Sequence, residues 1–98
     1  MSVNILEKEY PIATTTNLYL FYKNLKKIQE SIGSLYNLEI LDLSNNNLTS
    51  LSESIQSLTN LKELYLSYNN LTSLPESIGS LYNLKYLDLS ENKPTRIL

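Results

Sequence analysis

The side chains able to do chemistry in this chain of 98 residues are tyrosines and carboxylates, because it holds no Cys and no His. Their spacing is regular. Tyr19, Asp42, Tyr65 and Asp88 follow one another at 23-residue intervals. Three further sets share that step: Asn17, Ile40, Glu63 and Tyr86; Phe21, Ser44, Ser67 and Ser90; Tyr22, Asn45, Tyr68 and Glu91. If each interval returns the chain to the next strand of one sheet, Asp42 and Asp88 stand two strands apart. At ~4.8 Å per strand their backbones are ~10 Å from each other, a gap that suits paired carboxylates acting on a sugar. Open, solvated positions offer nothing to raise a pKa, however, so a polar rim for a basic partner is the better reading of these acids. The aromatics point the same way. Five of the eight tyrosines and the sole Phe fall in these four sets. Tyr is a good strand former and can simply decorate a sheet. Clustered exposed aromatics, by contrast, provide contact area and a hydrogen-bonding tip at little entropic cost, the composition of binding hot spots. The expected partner-binding residues are therefore Tyr19, Phe21, Tyr22, Asp42, Tyr65, Tyr68, Tyr86 and Asp88, with no catalytic residue among them.

Composition narrows the partner. Without Cys or His the usual nitrogen and sulfur metal ligands are missing, so neither metal nor cofactor is expected. Lys plus Arg number 8 against 10 Asp plus Glu, a net charge of -2 that leaves no basic surplus for phosphate contacts, so no nucleic acid is expected. The small basic cluster Lys23, Lys26 and Lys27 reads as a solvated edge. No apolar run approaches a membrane span, and the first ten residues lack a signal-peptide core, so the expectation is a cytoplasmic protein off the membrane. Absence of disulfides fits a reducing compartment. Asn47-Leu48-Thr49 and Asn70-Leu71-Thr72 match the N-glycosylation pattern, but the repeat generates both automatically.

The elements that must position these side chains come from the repeat itself. Leu38, Leu61 and Leu84 are 23 residues apart, as are Leu41, Leu64 and Leu87, and Leu43, Leu66 and Leu89. Asn46, Asn69 and Asn92 keep the step, and so do Leu48 and Leu71, Leu51, Leu74 and Ile97, Ile55 and Ile78, Leu58 and Leu81, and Asn60 and Asn83. The unit reads L-x-x-L-x-L-x-x-N-x-L-x-x-L-x-x-x-I-x-x-L-x-N. Around Asp42, Tyr65 and Asp88 the leucines alternate with period 2, as a half-buried strand requires. No single copy can bury its leucines alone, whereas stacked copies build one core. Asn46, Asn69 and Asn92 are placed to bond backbone where the chain leaves the strand. A degenerate first copy starts at Thr15, with Lys23 in place of the Asn, so that ladder is expected to fail there. The outer arc, with Ile and Leu three apart and Pro75 breaking the segment before it, predicts 3₁₀ or irregular turns.

This pattern resembles the leucine-rich-repeat family over residues 15 to 98. The run from Leu74 to Asn83 is similar to the 23-residue variety of Ras-pathway scaffolds, plant intracellular repeats and bacterial repeats. The resemblance implies an α/β horseshoe solenoid, with a parallel sheet on its concave face and short turns on its convex face. It also implies a non-catalytic module that binds another protein. The expected divisions are a degenerate half repeat or N-terminal cover over 1–14, then repeats 15–37, 38–60, 61–83 and a truncated 84–98. In the 1–14 segment Ile5 and Ile12 take core positions, while Glu9 falls where Ile belongs. Ile97 and Leu98 end the chain before any outer arc, so an uncapped end is expected to pair with a second copy as a homodimer. The alternative function is a spacer or self-assembling repeat fragment of a larger protein.

Overall fold

A computed structural model describes residues 1–93; the expectation attached to Ile97 and Leu98 lies outside them. Four three-residue strands, β3 (Asn17–Tyr19), β4 (Ile40–Asp42), β5 (Glu63–Tyr65) and β6 (Tyr86–Asp88), form one parallel sheet in chain order. Pairing advances by the repeat length: Leu18 opposes Leu41, Leu41 opposes Leu64, and Leu64 opposes Leu87. β3, β4 and β5 are each followed by an outer arc carrying one 3₁₀ turn, at Glu30–Ser34, Glu53–Ser57 and Glu76–Ser80. The result is a solenoid with a parallel sheet on one face and short turns on the other.

The core runs between those faces. Leu18, Leu41 and Leu64 point inward from the strands, Leu20, Leu43 and Leu66 from just beyond them, and Ile32, Leu35, Ile55 and Leu58 from the arcs. Removing this continuous apolar column from water is what stacking gains, and no isolated repeat could do it. Burial weakens toward β6. Leu64 is fully buried, whereas its equivalent Leu87 is 37% exposed.

Proline does not set the arcs. Gln29, Ser52 and Pro75 precede the three turns with the same extended backbone, φ near −67 to −65° and ψ near 146 to 148°. Pro75 only preselects a conformation its counterparts reach without it. Ser52 adds a cap, its hydroxyl accepting from the Ser54 N–H.

Two asparagine series tie the repeats together. On the sheet side, Asn69 Nδ2 donates to the carbonyls of Leu43, Leu66 and Ser67 while its Oδ1 accepts from the Leu48 N–H. Asn46 and Asn92 repeat the arrangement. Lys23 contributes no rung of its own, yet the ladder still reaches the first repeat, because the Lys23 and Leu25 N–H groups both donate to Asn46 Oδ1. On the opposite side of each unit, Asn37 donates to the Ile12 and Ala13 carbonyls, Asn60 to Tyr36 and Asn83 to Thr59. In both series the side chain bonds the repeat before its own.

The first residues form an antiparallel hairpin rather than a parallel strand with its arc. β1 (Ser2–Ile5) and β2 (Lys8–Pro11) pair across a two-residue turn in which Leu6 and Glu7 both have positive φ, 51° and 67°. This is the turn geometry that matches strand twist in two-residue hairpins. Val3 and Ile5 enter the core, Ile12 packs against it, and Glu9 faces out. There its carboxylate accepts from Ser2 Oγ and Asn4 Nδ2, which lowers its pKa below the usual value.

Candidate functional site

The sheet face opposite the core presents the side chains that alternate with the buried leucines. Strand register lines up Asn17, Ile40, Glu63 and Tyr86 in one row and Tyr19, Asp42, Tyr65 and Asp88 in the next. The other two rows lie past the strands, although backbone bonds continue there: the Asn45 N–H donates to Ser67 and the Tyr68 N–H to Ser90. Period-2 alternation does not extend to the last row. Tyr22, Asn45, Tyr68 and Glu91 all have φ of 55 to 57°, the left-handed region. Asn adopts it readily, but Tyr does so only against steric resistance. Tyr22 and Tyr68 are thus carried on the corner where the chain leaves the sheet, 74% and 57% exposed.

The acids and aromatics are organised locally. Asp42 Oδ1 accepts from both the N–H and the hydroxyl of Ser44, at 2.9 and 2.6 Å, and Asp88 does the same with Ser90. Each aspartate therefore closes its own turn with one oxygen. Tyr65 occupies the equivalent position in the repeat between them and donates its hydroxyl to Glu63. That bond, with desolvation and the nearby acids, pushes the phenol up to about 12. Its ring lies 5.3 Å from that of Tyr86, centroid to centroid. Phe21 and Tyr22 meet edge to face at 6.2 Å in the first repeat. Asn17 donates to the Tyr19 hydroxyl at 3.3 Å.

The structure thus brings Tyr19, Asp42, Tyr65, Asp88 and Tyr86 together on the strands, and carries Phe21, Tyr22 and Tyr68 on the rim beyond them. Three participants were not singled out from the sequence. Glu63 was seen only as a neighbour, although two residues apart on one strand is the spacing at which it meets Tyr65. Ser44 and Ser90 were placed in a row but given no role, although Asp-x-Ser is a local turn signal. Among the described residues no group of His, Cys, Asp or Glu is arranged to hold a metal ion, and no helix is long and apolar enough to cross a membrane.

Comparison with known proteins adds the family. The leucine rich repeat pattern matches residues 13–71, and the pattern of two such copies matches residues 59–97. Among curated proteins, no relative matches the chain. Several solved structures do. A leucine-rich-repeat protein of Leptospira interrogans shares 40% identity at a TM-score of 0.74, over 76% of this chain and 19% of its own. A TDR receptor shares 34% at 0.76, over 84% and 15%. The plant peptide hormone receptor RGFR1, solved in complex with RGF2, shares 38% at 0.72, over 83% and 14%. The chain spans less than a fifth of the length of each. With the ladders, the parallel sheet and these likenesses in place, the chain belongs to the leucine-rich-repeat family, whose solenoids serve as protein-interaction modules and are typically non-catalytic.

Proposed function

We propose that this chain binds a protein partner on its concave sheet face, without catalysing a reaction. The observation that carries the reading is the placement of Tyr22 and Tyr68 at left-handed corners. A bulky residue there costs of order 1 kcal/mol or more, where Asn or Gly would be cheaper, so the fold does not select it. Binding does. Exposed tyrosines on a rigid scaffold lose little entropy when a partner arrives. The structural likeness to receptors, one of them in complex with a peptide hormone, supports a protein or peptide as the ligand class.

The test is a paired affinity capture with the wild-type domain and a Tyr19→Ala, Tyr65→Ala, Tyr68→Ala variant first shown to fold. A protein held by wild type and lost by the variant is the expected result. Equal retention by both would move the site off this face. One observation favours a second reading, assembly with another copy: Leu87, on the edge strand β6, is 37% exposed. Light scattering that shows a monomer at high concentration would eliminate it.

A further inference from the structure

Tyrosines and aspartates of the concave face repeat with twice the period of the core, while Asn17 and Glu63, Ile40 and Tyr86, Phe21 and Ser67, and Asn45 and Glu91 do not match at that step. Tyr19 and Tyr22 in the first repeat return as Tyr65 and Tyr68 in the third, while Asp42 in the second returns as Asp88 in the fourth. The doubling extends to the arcs, where Ser-Ile-Gly-Ser-Leu-Tyr-Asn occurs at Ser31–Asn37 and Ser77–Asn83, and the intervening arc differs. The face therefore carries two tyrosine doublets, each beside an aspartate.

The charge on it is one-sided. The four rows hold Asp42, Glu63, Asp88 and Glu91 and no Lys or Arg. The cations adjacent to the rows are Lys62 and Lys85, one position before them, and Lys23, one position after Tyr22 at the first-repeat end; Lys62 is paired with Glu39 at 3.4 Å. Each aspartate keeps one oxygen beyond its serine bonds, and each has a tyrosine ring in the adjacent strand at the same level. A carboxylate beside an aromatic face receives a guanidinium or ammonium by an ion pair and a cation–π contact together.

We propose that the occupant is an extended cationic segment of a partner protein, with two Arg or Lys side chains three residues apart. This rests on the concave-face reading above. The spacing follows from geometry. Two strand steps set the aspartates about 9.6 Å apart. In a polyproline II segment, residues i and i+3 project from the same side about 9.3 Å apart. A fully extended β-segment puts same-side residues roughly 7 or 13 Å apart and fits less well.

Labelled peptides test this directly by fluorescence anisotropy. The probe is a proline-rich host carrying Arg-Pro-Pro-Arg. Its controls are the same composition as Arg-Pro-Arg-Pro, a citrulline pair at the first spacing, and a Glu pair. The first peptide is expected to bind about tenfold or more tighter than the citrulline and Glu versions, and to weaken as salt rises. Asp42→Asn with Asp88→Asn should remove that advantage. The amide oxygen still caps Ser44 and Ser90, and an unchanged melting curve confirms it. Equal binding of the citrulline peptide, lost on Tyr65→Ala, would overturn the cationic partner and leave the face intact. Equal binding of the Arg-Pro-Arg-Pro peptide would overturn the spacing. Binding indifferent to every concave substitution would overturn both the segment and the face, and no binding at millimolar peptide would overturn the segment.

Discussion

Asn69→Ala should destabilise the solenoid far more than its exposure on a formula would suggest. The side chain is buried and makes four bonds. Removing it leaves the N–H of Leu48, itself fully buried, without the acceptor it now has, at about 1–3 kcal/mol. The carbonyls of Leu43, Leu66 and Ser67 lose a shared donor, and carbonyls tolerate this better, so about 1–2 kcal/mol more is reasonable. The total, about 2–5 kcal/mol, is a large part of the 5–15 kcal/mol that holds a typical domain together. Asn92 makes the same set of bonds from a half-buried position. Water can replace them there, so Asn92→Ala should cost only about 1–2 kcal/mol. Urea unfolding followed by circular dichroism measures both variants. Asn69→Asp should be worse than Ala, since a carboxylate oxygen would then face three carbonyls. Equal losses at 69 and 92 would refute the argument that burial, rather than bond count, sets the value of a rung.

Other expectations follow from the same structure. Gly33→Ala should destabilise, because its Cβ would meet the Ser54 carbonyl oxygen at 2.9 Å, while Gly79→Ala has open space and should be neutral or gain about 0.4–1 kcal/mol; thermal melts compare them. Tyr65 keeps its proton to about 12 in the folded state against the ordinary 10, so its contribution is full below pH 10 and is lost between 10 and 12. Glu63→Gln should move the last tyrosinate step, read by ultraviolet absorbance, back toward 10. Glu9 has the opposite sign: its lowered pKa stabilises the hairpin above about 4.5 and ceases to do so as pH falls through the folded value, which amide exchange across β1 and β2 would register. Among the described residues Ser77 Oγ is a buried side-chain oxygen without a partner, so Ser77→Ala should be neutral or stabilising in the same melts.

The core and two of the four surface rows were legible in the sequence because both obey simple periods. Leucines 23 apart must stack, and alternation around Asp42, Tyr65 and Asp88 orients the strands. Most of what escaped obeyed no local rule, the Asp-x-Ser turns and the Glu63–Tyr65 pair excepted. The hairpin at the start hid behind Ile5 and Ile12, which happen to fall in phase with the repeat, while its turn residues, Leu6 and Glu7, are not the Asn or Gly that announce positive φ. The same absence concealed the corners at Tyr22 and Tyr68. Asn37, Asn60 and Asn83 were visible as repeat positions, but their role was not, since their acceptors are backbone carbonyls about two dozen residues away. At the candidate site the aspartates looked free, and the serine two positions on turned out to occupy half of each.

Because each asparagine completes the unit before it, every repeat from the second onward offers its predecessor the same socket. Duplicating or deleting one unit would leave the leucine column continuous and the hydrogen bonds satisfied. The concave pattern would not survive so easily, since tyrosine and aspartate alternate from one strand to the next. Adding a single unit puts the two out of step, whereas adding a pair lengthens the stripe in phase by about 9.6 Å. Architecture in this chain counts in ones and the proposed recognition stripe counts in twos, so unit number can drift without unfolding the protein, but only even steps conserve the tyrosine–aspartate pattern.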